Sequence, residues 1–394
     1  VADSGLPNRV LVIDDDPSVC QSLENTLLKH KITTLKASDL QTALYHFNQN
    51  RLEVVIVEVD FGPMPGLALV QKWRNHEMQD KRQTGFVMMQ SGTQRSSGHD
   101  QLIKEMADLE LISKPINPAQ ILSVLARAAS ARKRLLMFQN LKEKLVDPYI
   151  KQGKPELALE KLGGLVNEIG EKAKKLQVEL YENLGRFSAC LDMTLGYLKA
   201  EPSNIFYMNT AGRMCLKLGK LTEAKTLMEK ADSLAPENIE RMNQMAELFL
   251  KMEAPDKSVA LFKKLVDLNA DEPDFKFQAF GKLCDAGYDQ KAIEFGQGVA
   301  QPQEVVKHFN NKGVLLAKEG QHAEALISYE RAVMIYPKFK ENYRIFYNMA
   351  LAHLSAKPSP RIAEAEKFLL KTLELDPGFE KAKVALAALR NRVG

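Results

Sequence analysis

The chain has little that would staple, anchor or metallate it. Its four cysteines, Cys20, Cys190, Cys215 and Cys284, lie far apart and form no C-x-x-C pair, which argues against a disulfide framework or a zinc site. They read as reduced core or half-buried thiols. No apolar run approaches the roughly 18–20 residues of a membrane span, and the opening VADSGLPNRV has neither the charged nor the apolar region of a signal peptide. A cytosolic protein without membrane insertion is the expectation. The seven histidines are scattered, and there is no G-x-x-x-x-G-K-[ST], no nucleophile elbow and no H-E-x-x-H, so no enzyme class is indicated. Charge is also sparse: residues 1–130 hold 13 Lys/Arg against 15 Asp/Glu, and the rest 41 against 35. That basic excess is too dilute to argue for nucleic acid.

What is present divides in two, as 394 residues suggest. Val54–Gly66, VVIVEVDFGPMPG, is a short β-branched run ending in the acid Glu58, then a loop and a glycine. Such a run reads as a strand buried on both faces of a parallel sheet. Arg9–Ile13 is a second run of this kind and ends in Asp14, Asp15 and Asp16, with Pro17 placed for the first turn of a helix reaching about Lys29. Strands are further predicted at Lys31–Lys36, Gly85–Met89 and Leu109–Ile112. Helices are predicted at Leu40–Phe47, Gly66–His76, Gln101–Ala107 and from Asn117-Pro118 onward. Five alternating strands and helices predict an α/β doubly wound parallel sheet.

The polar residues fall at one edge of that sheet: Asp14 and Asp15 after the first strand, Glu58 after the third, Ser91 after the fourth, Lys114 with Pro115 after the fifth. Converging carboxylates suit a hard divalent cation, Mg²⁺ being the usual choice. A hydroxyl and an ammonium beside them suit a phosphoryl oxygen. In these residues the chain, over residues 9 to about 130, resembles a CheY-like receiver domain of response regulators in two-component signalling. The resemblance implies a flavodoxin-like fold, Mg²⁺ held by Asp14, Asp15, residue 58 and the backbone carbonyl of Asp60, and a phosphoryl pocket at Ser91 and Lys114. The family's acceptor aspartate stands eight residues before a glycine, and counting back from Gly66 reaches Glu58. Two further departures are the shifted Met-Pro of the loop, Phe61–Pro65, and Leu111 where an aromatic switch residue is usual. Glu58 reads as abolishing phosphotransfer, either as a phosphomimic or as a relic. Asp60 as substitute acceptor, or an engineered residue 58 in a conventional phosphorylation-switched regulator, are the alternatives.

The helix from Pro118 meets no further Gly or Pro before Pro148 and is predicted to continue to it. Arg132-Lys133-Arg134 lies within it as a solvated face. Beyond it the sequence repeats every 34 residues. In Ile205–Pro236, Gly212, Gly219, Ala224, Ala231 and Pro236 hold fixed positions, and Val306–Pro337 repeats them with Gly313, Gly320, Ala325, Ala332 and Pro337. These matches resemble the tetratricopeptide repeat (TPR) family. Six or seven repeats are expected, with starts near Met137, Glu171, Ile205, Ile239, Pro273, Val306 and Tyr343, and Phe379–Arg392 as a capping helix. The domains are thus placed at 1–130 and 131–394, the second an all-α TPR superhelix. By the resemblance, its concave groove is lined by Phe206, Asn209, Arg213, Lys217, Asn243, Lys251, Lys307, Asn310 and Lys318, a mixture suited to an extended peptide. The functional expectation is a signalling adaptor acting through protein partners: a histidine kinase, another signalling protein or a groove-bound peptide. An RNA-binding regulator is the more distant alternative, and a dimer through the family's fourth and fifth helices is left open.

Overall fold

The computed structural model describes residues 5–62, 64–80, 84–91, 106, 109–165, 170–269, 272, 274–356 and 359–393. The helix expected at Gln101–Ala107 falls, apart from Met106, outside the described residues.

Five parallel strands form one sheet: β1 (Arg9–Ile13), β2 (Thr33–Ala37), β3 (Val54–Glu58), β4 (Gly85–Gln90) and β5 (Leu109–Ser113), in the order β2-β1-β3-β4-β5. β3 is central and all five of its residues are buried, which is why its sequence is continuously apolar rather than alternating. Its register pairs Val57 with Ile13 on one side and Glu58 with Met89 on the other. β2 begins two residues later than the sequence suggests, because Lys31 takes a left-handed φ of 60° in the turn that closes the preceding helix.

The helices cover both faces. On one face, residues of α1 (Pro17–Leu28) and α4 (Pro118–Leu145) pack with Val10, Val12, Val54, Ile56, Val87 and Met89. On the other, Phe47 of α2 (Leu40–Gln49) stacks on Trp73 of α3 (Gly66–Asp80), ring centroids 4.1 Å apart, and both lie near Phe86 of β4. Caps set the helix starts: Asp16 accepts from Ser18 N at 2.8 Å, and Asn117 from Ala119 N at 2.8 Å. α4 runs unbroken for 28 residues and stops short of Pro148, where α5 (Asp147–Lys151) takes over.

The remaining helices are α6 (Pro155–Gly164), α7 (Glu171–Asn183), α8 (Phe187–Ala200), α9 (Ile205–Lys217), α10 (Leu221–Leu234), α11 (Ile239–Lys251), α12 (Pro255–Leu268), α13 (Phe275–Asp285), α14 (Asp289–Val299), α15 (Pro302–Lys318), α16 (His322–Ile335), α17 (Asn342–Leu354), α18 (Ile362–Leu375) and α19 (Glu380–Val393). A left-handed residue follows the first helix of successive hairpins at Gly185, Gly219, Glu253, Gly287 and Gly320. This is the position glycine favours, since it has no Cβ to clash. The small residues of the repeat are equally physical: a Cβ on Gly313 would lie 2.3 Å from Cε1 of Tyr329, and one on Gly212 would lie 2.9 Å from Cγ of Met228.

The chain forms two compact units, Val1–Met252 with Asp267–Asp271 and Glu253–Val266 with Glu272–Gly394. The α/β domain and the first repeats share the first unit.

Candidate functional site

The C-terminal edge of the sheet gathers Asp14, Glu58, Ser91 and Lys114. Asp14 is wholly buried and Glu58 nearly so. Lys114, at the end of β5, reaches across both: its Nζ lies 2.6 Å from Asp14 Oδ2 and also contacts Glu58 Oε2. Ser91 Oγ stands 3.5 Å from Glu58 Oε2, at the limit of a hydrogen bond. Burial works against the charge of Lys114, but its hydrogen bonds to Asp14 and Glu58 and their negative charges outweigh it, and the pKa is held above the ordinary lysine value. The ammonium is therefore charged at neutral pH, and the pocket is a triad of one cation between two carboxylates. The Lys114-Pro115 peptide bond is cis.

Asp15 and Asp60 are exposed. Asp16 turns outward to cap α1, and its hydrogen bonds with Ser18 hold its carboxyl below the usual range. Among the described residues no three His, Cys, Asp or Glu side chains come together as a metal-holding group. Glu58 Oε1 is buried without a hydrogen-bond partner, and the buried Asp14 Oδ2 has the ion pair with Lys114, but two such oxygens do not make the six-oxygen shell Mg²⁺ requires. As arranged, the pocket does not fit the ion; the ammonium stands among the carboxylates that would ligate it.

Gly66 fixes Glu58 from behind. Its N–H donates to Val59 O at 2.8 Å, while Val59 N donates to Met89 O at 2.7 Å. A Cβ at position 66 would lie 2.0 Å from the carbonyl oxygen of Glu58 and 2.7 Å from Cγ1 of Val57. The eight-residue spacing thus has a steric cause: the loop returns so close to the strand end that only glycine fits.

The repeats offer a second site. In the first unit a cavity of about 300 Å³ is lined by Asn209 and Arg213 together with Glu182, Phe206, Arg241, Gln244 and others. Arg213 makes a bidentate pair with Glu182, both bonds 2.7 Å, and Glu240 lies 3.6 Å from its Nη1. Asn209 accepts from Arg241 Nη1 at 3.2 Å. Arg241 is buried, holds Asp232 at 3.2 Å through Nε, and also donates to Ala235 O. Sequence reasoning missed Arg241. The available signal was its repeat position, which holds Tyr207 one repeat earlier and Phe275 one later. Asn243 is half-buried and does not line the cavity. In the second unit Asn310 accepts from Asn348 Nδ2 at 2.7 Å, and Lys307 is exposed, as is Lys318; Lys217 and Lys251 of the first unit are exposed as well.

Residues 10–126 match the response regulator receiver domain, and residues 207–238 and 309–339 match the tetratricopeptide repeat. No curated protein matches the chain. Among solved structures it is similar to a response regulator receiver domain protein of Clostridium thermocellum (22% identity, 33% of this chain and 98% of that one, TM-score 0.28). It is also similar to the chemotaxis protein CheY4 of Vibrio cholerae (26% identity, 30% and 97%, TM-score 0.27). A tetratricopeptide repeat protein of Parabacteroides merdae is also similar (14% identity, 64% of this chain and 98% of that one, TM-score 0.36). No helix among the described residues is long and apolar enough to cross a membrane.

Proposed function

We propose that the chain is a two-component signalling adaptor whose receiver domain does not transfer phosphate and whose repeats hold a protein partner. The observation that carries this is the closed triad. Glu58 stands where the family's aspartate would accept phosphate, its carboxylate is already paired with Lys114, and Lys114 is shared with Asp14. Carboxylate nucleophilicity is lowered by such pairing, and the acyl phosphate would have to form while displacing the ammonium that would otherwise steady the phosphoryl oxygens. In this reading the ammonium takes the place a divalent cation would hold. Signalling then proceeds by contact. The partner is a histidine kinase, another signalling protein or an extended peptide, recognised through groups such as Asn209 and Arg213.

Intact-mass measurement after incubation with acetyl phosphate and Mg²⁺ tests it, with the Glu58→Asp variant run alongside. The expected result is no adduct on the unaltered chain. An adduct of one phosphoryl group on the unaltered chain overturns the proposal, and its mapping to Asp60 would establish a substitute acceptor.

A further inference from the structure

Over Leu67–Trp73, helix α3 lacks the wet stripe that a surface helix should have. Leu67, Ala68, Leu69, Val70, Gln71, Lys72 and Trp73 are all buried, the polar pair included at 8% and 6% exposure. Seven consecutive residues cover every direction around a helix of 3.6 residues per turn, so the sheet alone cannot bury them. Gln71 shows what covers the far side. Its Nε2 donates to Glu237 O at 3.1 Å, and its Oε1 accepts from Ile239 N at 2.9 Å.

Ile239 is the first residue of α11, so its N–H is one of the donors a helix cannot satisfy internally. Asn238 caps the same turn by accepting from Arg241 N at 2.9 Å. The receiver thus supplies, through one carboxamide, a partner for the N-terminus of a repeat helix. The same domain reaches the cavity described above: Met106 forms part of its wall with Asn209, Arg213 and Arg241. Arg74, one turn along α3 from Gln71, donates to the carbonyl of Met106.

We infer that the receiver domain is the resident occupant of the mouth of this repeat cavity, held there by α3 with Gln71 as its latch. An external peptide reaching Asn209 and Arg213 must then displace the receiver's own surface. The inference rests on the proposed function only for that consequence; the latch itself is tested with no partner and no phosphoryl donor.

Gln71→Arg in the full chain places a cation against the positive end of α11 and removes the acceptor of Ile239 N–H. Amide hydrogen exchange should rise about tenfold in both Leu67–Lys72 and Ile239–Met242, about the loss of one net hydrogen bond, with β1 and β3 unchanged. The sole tryptophan, Trp73, packs toward the receiver core, so unchanged emission certifies that the receiver stays folded. Should Q71R unfold it, Gln71→Ala, which removes both hydrogen bonds without adding bulk or charge, carries the same expectation. A rise confined to one of the two segments, or none in either, overturns the latch.

Discussion

Lys114→Met keeps the aliphatic stem and removes the ammonium from between Asp14 and Glu58. Two buried carboxylates are left facing each other without a cation. Breaking a buried pair by removing one partner costs about 3–5 kcal/mol. Lys114 retains 20% side-chain exposure, so water softens the loss, and about 3 kcal/mol is expected. For a domain of some 120 residues the unfolding entropy is about 0.25 kcal/mol per kelvin, and the midpoint should fall by roughly 12 °C. Emission of Trp73, buried in the receiver core, follows this transition separately from the repeats. The pH dependence gives the sign. In the unaltered chain the pKa of Lys114 is raised; its contribution is complete below the unfolded lysine value of about 10.4 and is lost as pH climbs through the higher folded one. A deficit under about 1 kcal/mol at pH 7.5 would refute the triad as a source of stability.

Gly66→Ala should destabilise the receiver by about 3 kcal/mol, because the clashing neighbours are backbone atoms of Glu58 and cannot rotate away; urea titration by Trp73 emission measures it. Gly313→Ala forces the buried Tyr329 ring aside and should cost about 2 kcal/mol, seen in far-UV circular dichroism of the helices. Glu253→Gly should do the opposite. Glu253 holds a left-handed φ of 56° where Gly185, Gly219, Gly287 and Gly320 stand in the corresponding turns, and relieving it should add about 1 kcal/mol in a thermal melt.

The local rules were legible wherever sequence and fold share a period. Continuous apolar runs marked β1, β3 and β4, Pro17 and Pro118 marked helix starts, and the recurrence of Gly219 and Gly320 at one repeat position marked the repeats. Strand ends could be aligned at one edge because a parallel sheet puts them there. The reach of Lys114 to Asp14 as well as to Glu58 was not legible, since it depends on side-chain reach from the end of β5 to the end of β1. Nor were the partners of Asn209 and Arg213. Both line the cavity, and both are also engaged within the chain, by Arg241 and Glu182. A residue type at a groove position says what it is able to bind, while its neighbours from other repeats decide what it does bind.

The same limit explains why Gln71 escaped notice. Within LALVQKW its polar pair reads as the solvated side of an amphipathic helix, and nothing local marks that side as covered. Its importance comes from the element it rides on. Gly66, the first residue of α3, abuts the carbonyl of Glu58 with no room for a methyl group, and Gln71 follows five residues later, about 7.5 Å along a rigid helix. The triad at the end of β3 and the carboxamide at the N-terminus of α11 are therefore the two ends of one inextensible segment.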